Sequence, residues 1–297
     1  MNLATTLARE QSAFLGRNRR DWNGHLESIR TFLGEGLRAG HGPALILGAG
    51  SGLEVPWALA PAGSTGWDAD PWSRVRTCLR HRRWPAWVFQ DLTGGMAQLA
   101  ATAYRATKQP WSGRTIHPER AARRCAGLLD SLNPEPAALR AWIRQQRPGL
   151  ILAANVMGQF GVLAQRIVED AFAPASAWVA DPELPDPLET ALAAWTQRAV
   201  RAFLAALADS GAELWLVHDR GVVFGQEPVA LGPVTDSWLR QLQAPGPLEI
   251  TDPLCGVDVL AAFPGRELDR LQRWLWPVAP GQLHVMEALR VAGCNRE

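Results

Sequence analysis

Lysine is almost missing from this 297-residue chain; it occurs once, at Lys108. Nearly all positive charge is therefore arginine. That bias reflects either base composition in the encoding DNA or a use for the planar guanidinium fork, which grips phosphate and carboxylate with paired bonds. Net charge is missing too. Thirty basic residues stand against 29 acidic ones, a formal +1, so no overall field points to nucleic acid or an anionic membrane. Cysteine is sparse. Cys78, Cys125, Cys255 and Cys294 show no C-x-x-C spacing, which excludes a zinc ribbon or dithiol redox motif and gives no disulfide framework. A reducing, cytoplasmic setting fits best. His, Cys and carboxylates nowhere gather at metal-ligand spacing, so no metal is expected. No uncharged stretch nears the roughly 18–20 residues that span a bilayer. The N-terminal stretch carries Arg9, Glu10, Arg17, Arg19, Arg20 and Asp21 and has no apolar core of a secretory signal.

What is present is an ordinary globular composition, 47% hydrophobic and 20% charged, enough to bury a sizeable core. The first forty or so residues read as helix, with Leu26, Ile29, Phe32, Leu33 and Leu37 on one face at three- and four-residue spacing. Gly40, Gly42 and Pro43 break it. Ala44–Leu47 is all apolar, which suits a strand buried on both faces. Further strands are expected at Thr65–Trp67, Ala86–Phe89, Leu150–Ala154 and Leu214–Val217. The stripe Leu188, Leu192, Trp195, Ala199, Phe203, Leu207 marks a helix packed on the sheet. Strands alternating with helices imply a mainly parallel sheet with crossover helices on both faces. The stretch 93–147 exceeds a simple crossover and reads as an insertion with helices near Met96–Thr107 and Glu119–Leu132; it is either a lid or a structural elaboration. Near the C-terminus, Val257–Phe263 and Leu283–Val291 read as strands around a helical segment with Leu268, Leu271 and Trp274. The division expected is a helical extension over 1–42 and one α/β domain over 43–297.

The first strand runs into Gly48-Ala49-Gly50-Ser51-Gly52. Glycine lets backbone N–H groups face a ligand and lets a following helix start tightly. Twenty residues after Gly48 stands Asp68, placed just past the second strand, where a carboxylate can accept both hydroxyls of a ribose. Together the two favour a nucleoside-type ligand over a purely structural turn.

Leu45 through Gly52 resembles the first motif of the class I S-adenosylmethionine-dependent methyltransferases. Gly66-Trp67-Asp68-Ala69-Asp70 is similar to their ribose-binding segment, Phe89-Gln90-Asp91-Leu92 to the segment that meets adenine, and Leu150–Gln159 to the fourth strand and its loop. The resemblance implies a Rossmann-like, mainly parallel seven-stranded sheet with an antiparallel sixth and seventh strand, methyltransferase activity, and S-adenosylmethionine as cofactor. It assigns cofactor contacts to Gly48, Ala49, Gly50, Gly52, Asp68, Ala69, Asp91, Leu92 and Asn155. One departure is Ile46, where the family often has an acid for the methionine amino group. A dinucleotide is the rival ligand, but its fingerprint needs glycine where Leu53 stands.

Methyl transfer needs alignment above all, which supplies about 7–11 kcal/mol. Residues closing the fourth and fifth strands are placed to handle an acceptor: Asn155, Gln159 and His218, with Asp219 beside it. Adjacent residues at a strand end point apart, so one of the His218–Asp219 pair faces the ligand at most, and both can instead be solvent-facing ends of a strand. His284 reads as a packed or surface histidine before a catalytic one. The fourteen tryptophans, against one tyrosine, either line an acceptor pocket or fill the core. A small-molecule acceptor is the leading expectation. A protein or peptide acceptor, and a non-catalytic binding module, are the alternatives.

Overall fold

The computed structural model describes residues 16, 19–40, 42–50, 52–107, 118–172, 186–225, 234 and 249–294. The apolar run Ala44–Leu47 forms β1, flanked by β2 (Thr65–Trp67) and β4 (Leu150–Ala154). Its side chains are buried on both faces, Leu45 and Leu47 on one and Ala44 and Ile46 on the other, which is why the sequence shows no alternation there. β3 (Ala86–Val88) lies outside β2, and β5 (Glu213–Phe224) outside β4, all parallel. A hairpin of β7 (Leu268–Ala279) and β8 (Gln282–Val291) then closes the sheet, β8 running antiparallel to β5. The order is β3-β2-β1-β4-β5-β8-β7, and a short β6 (Glu249–Thr251) pairs with the far end of β5. This is the Rossmann-like order 3-2-1-4-5 extended by an antiparallel pair.

Helix α1 (Arg19–Ala39) covers one face, where Trp22, Leu26, Ile29, Phe32, Leu33 and Leu37 join Ile46, Leu152 and Trp215 in one core. α2 (Ser73–His81) links β2 and β3. The other face carries α3 (Met96–Thr107), α4 (Pro118–Leu129), α5 (Ala137–Gln146), α6 (Gly158–Phe172) and α7 (Asp186–Ala208), with Leu99, Phe160, Trp195 and Phe203 at its centre. Among its described residues the stretch 93–147 thus holds three helices, one more than expected, and α3, α4 and α5 all contribute to that core.

The expected path of seven strands is present among the described residues, with the short β6 added beside β5. Three expectations are corrected. Val257–Phe263 is no strand: Asp252 and Asp258 accept the backbone N–H groups of Leu254, Gly256 and Leu260, turning the chain into a loop and a short 3-10 turn. Leu268, Leu271 and Trp274 lie on strand β7, not on a helix; a bulge between Leu268 and Arg270 keeps Leu268 and Leu271 on one face, while Trp274 falls on the other. Finally, no α-helix follows the glycine turn. Among the described residues between β1 and β2 there is only the 3-10 turn Trp57–Leu59.

Candidate functional site

The parallel strands end together at one edge: β1 at Leu47, β2 at Trp67, β4 at Ala154 opposite Val217 of β5. The glycine turn leaves β1 there with Gly48, Gly50 and Gly52 all in the left-handed region, φ +63°, +50° and +68°. Its two ends are clamped. A Cβ on Gly48 would sit 2.7 Å from Val156 Cβ, and one on Gly52 2.8 Å from Thr77 Oγ1 on α2. The middle is open, since a Cβ on Gly50 would meet nothing nearer than Gly48 O at 3.7 Å. Ala49 is buried between them and donates its N–H to Trp67 O at 3.3 Å. Ser51 lies outside the described residues.

Asp68 ties the turn to β2. Its Oδ2 accepts the Gly50 N–H and its Oδ1 the Asp70 N–H, each at 2.8 Å. Burial pushes its carboxyl up to about 6, although the Gly50 N–H and the nearby Arg76 pull the other way. Ala69 beside it is exposed, and Asp70 forms an ion pair with Arg76. Asp91, by contrast, is heavily engaged by its own neighbourhood. It accepts the backbone N–H groups of Thr93, Gly95 and Met96 and the Thr93 hydroxyl at 2.8–3.0 Å, starting α3. Leu92 packs its side chain into the core.

Across the edge, Asn155 follows β4 with φ +47°, buried, its N–H on Val217 O at 2.9 Å. Its Oδ1 is buried with no hydrogen-bond partner. Such an orphan acceptor is costly unless something donates to it. Gln159 is half-buried in the first turn of α6. Gly158 just before it admits the Asp219 carboxylate where a Cβ would collide. His218 is buried on the opposite face of β5 from Asp219, its Nδ1 3.1 Å from Asp219 O and its Nε2 3.5 Å from Glu287 Oε1. Glu287 also receives Arg273 Nε at 2.7 Å. Burial alone would raise Glu287, but the His218 ring and the Arg273 guanidinium beside it bring it down to about 2. His218 is thus a member of an internal charge network.

Sequence reasoning missed the wall built by α1 and the β7–β8 hairpin. His25, fully buried, stacks on Trp276 with centroids 3.9 Å apart and receives Trp274 Nε1–H on its Nδ1 at 3.2 Å. Its Nε2 then carries the proton and donates to Glu54 Oε1 at 3.2 Å, in the loop leaving the glycine turn. Arg30 of α1 reaches the same loop, donating to Leu53 O at 2.6 Å. Arg80 is held below the ordinary arginine range by burial first and then by Arg30 and Arg76, so three guanidiniums cluster beside the turn. Asp219 accepts His284 Nδ1–H at 2.8 Å. Sequence separation of 65 residues hides that pair; only the register of β5 on β8 brings it together.

Among the described residues no group of three or more His, Cys, Asp or Glu could hold a metal ion, and no helix is long and apolar enough to cross a membrane. No family model and no curated protein matches the chain. Two solved structures align with it along nearly its whole length. One is the N-methyltransferase NodS from Bradyrhizobium japonicum WM9 in complex with S-adenosyl-L-homocysteine, 13% identical, TM-score 0.41, over 98% of this chain and 99% of that one. The other is the magnesium protoporphyrin IX methyltransferase ChlM from Synechocystis PCC 6803 with bound SAM, 13% identical, TM-score 0.38, over 97% of each chain.

Proposed function

We propose that this chain is an S-adenosylmethionine-dependent methyltransferase acting on a small molecule. The observation that carries the reading is the bond between Gly50 and Asp68. It joins an open glycine turn to a carboxylate at the ends of parallel strands, where such sheets hold their ligands. Ribose hydroxyls would be accepted by Asp68, with Gly48, Ala49, Gly50 and Gly52 approaching the nucleoside, and Ala69 and Leu92 beside the base. Asp91, saturated by its own loop, would shape the adenine site through that loop. Asn155 Oδ1, buried without a partner, suits a ligand that brings an N–H or O–H donor.

The fit is better for S-adenosylmethionine than for a dinucleotide. A pyrophosphate is held at the N-terminus of the helix that follows the glycine turn, and no such helix is described here. Leu53 also fills the third glycine position of that fingerprint. Ile46, wholly buried under α1, leaves the methionine end to other groups, and the cluster of Arg30, Arg76 and Arg80 offers its carboxylate a cationic partner. Ile46 also favours a second reading, a module that binds the cofactor without catalysis. Four free thiols accord with a cytoplasmic protein.

Titration calorimetry with S-adenosylhomocysteine and with NAD tests the assignment. Heat is expected from the first alone; heat from NAD alone overturns it. Incubation with labelled S-adenosylmethionine and cell extract separates the alternatives by where label appears: in a metabolite, in a polypeptide, or in neither.

A further inference from the structure

We propose that Asp219 and His284 form a proton-accepting pair for the acceptor, so that the substrate is a heteroatom still carrying its proton, a hydroxyl or an ammonium. This rests on the methyltransferase reading above.

The pair is built into the edge where the ligand crevice lies. Asp219 stands two residues beyond Val217, which pairs with the last residue of β4. It is 4% exposed, and its carboxylate is packed against Gly158, at the start of α6. Its Oδ1 takes His284 Nδ1–H at 2.8 Å. A carboxylate at that distance holds the proton on Nδ1 and leaves Nε2 as the basic atom, the arrangement in which an acid orients an imidazole base. Gln282 Nε2 lies 3.0 Å from that Nε2 and, with the ring proton on Nδ1, donates to it. Gln282 is half-buried beside the hairpin turn, so it can yield the lone pair to an incoming donor.

His284 is also tied to the glycine turn. Its ring lies 5.2 Å from Trp276, Trp276 stacks on His25, and His25 bonds Glu54 of the turn's exit loop. His284 is therefore joined directly to Asp219, which packs on Gly158, and through Trp276 and His25 to the exit loop of the glycine turn. Among the described residues, Asp219 on β5, Glu54 on the loop and His25 on α1 are ionisable groups bonded along this series of contacts; His218, Glu287 and Arg273 lie on the opposite face of the sheet. Trp276 Nε1, buried without a partner, adds a donor for an acceptor's oxygen.

In the step, a hydroxyl gives its proton to His284 Nε2 as an oxygen lone pair forms the bond to the methyl carbon; an ammonium gives its proton to Nε2 first, and the electron pair of that N–H bond becomes the lone pair that attacks. The sulfur–carbon bond breaks and its electron pair stays on sulfur, turning the sulfonium into a thioether. The proton then leaves through the exposed edge of His284. Acceptors already deprotonated at neutral pH, carboxylates above all, have no need of this base. Asp219 is a positioning residue, acting through His284.

The test uses wild type, His284→Asn, His284→Gln and Asp219→Asn with labelled S-adenosylmethionine and a panel of phenols, alcohols, amines, thiols and carboxylates. S-adenosylhomocysteine affinity, measured first by calorimetry, is expected to be within about threefold in all four proteins. Failure of wild type to bind it overturns the methyltransferase reading; retained binding shows each variant folded. Turnover is expected on phenols, alcohols or amines, falling about 10²–10⁴-fold in both His284 variants, with the one-proton rise of kcat with pH flattened there and shifted in Asp219→Asn. Binding without turnover of any proton-bearing class, turnover confined to carboxylates or thiols, or an unchanged kcat and pH profile in His284→Asn each overturns the pair.

Discussion

The Gly50 N–H points at the Asp68 carboxylate from 2.8 Å, so the open middle of the glycine turn and the end of β2 are one unit. Removing the carboxylate therefore does two things. Asp68→Ala should weaken S-adenosylhomocysteine binding by about 1.5–3 kcal/mol, tenfold or more in affinity. It should also lower the ligand-free melting temperature by a few degrees, because the N–H groups of Gly50 and Asp70 lose their acceptor. Calorimetry and a thermal melt check both; an unchanged affinity would make the carboxylate a structural tie only.

Cofactor binding should depend on pH through the same group. On the proposed reading, ribose hydroxyls would donate to the ionised carboxylate, and Asp68 holds its proton up to about 6. Affinity should be level above pH 7 and fall roughly tenfold per unit below 6. Folding has the opposite sign. The folded chain favours the protonated acid, so the stability from Asp68 is fully present below its ordinary 3.8 and lost as pH rises through about 6. Titrations between pH 5 and 8, repeated with Asp68→Asn, should show the slope in wild type and none in the variant.

Glu287 behaves as the reverse case. Its carboxyl is brought down from 4.5 to about 2, so its contribution is present above 4.5 and is lost as pH falls towards 2. Glu287→Gln removes the carboxylate that Arg273 Nε and the His218 ring face, which should cost about 3–5 kcal/mol at pH 7. Denaturant melts should show the gap to wild type closing between pH 4.5 and 2; a gap constant across that range would assign the loss to packing instead.

His25→Phe should keep the stacking on Trp276 but lose Glu54 and Trp274. The exit loop of the glycine turn is then held by Arg30 on Leu53 alone among these contacts. The loss of two buried bonds corresponds to about 1–3 kcal/mol, read as a lower melting temperature and weaker S-adenosylhomocysteine binding. A variant equal to wild type in both would show that the loop is fixed elsewhere.

How legible the molecule was depended on distance along the chain. β1 and β4 announce themselves as short apolar runs because both their faces are covered. Gly48, Gly50, Gly52 and Asp68 are separated by one crossover, and their spacing survives in the sequence. α2 passed unnoticed, since Val75 and Leu79 are the only large aliphatic residues among its arginines. Beyond the fifth strand periodicity misled: Leu268, Leu271 and Trp274 stand three apart, yet a bulge aligns the first two and the third lies on the opposite face of β7. The pairs Asp219–His284 and His25–Trp274 are 65 and 249 residues apart, and only β-register and helix docking create them.

That last separation has a consequence for how the protein is made. Trp22 donates to Val278 O, 256 residues downstream, and His25 waits for Trp274. A ribosome delivers the glycine turn long before the hairpin that steadies His25 against it. The emerging chain can pair β1 with β2 and β4, yet the brace from α1 to Glu54 stays half-built until residues past 276 have left the exit tunnel. Chains released early, lacking β7 and β8, should therefore carry the nucleoside motif without holding its nucleoside.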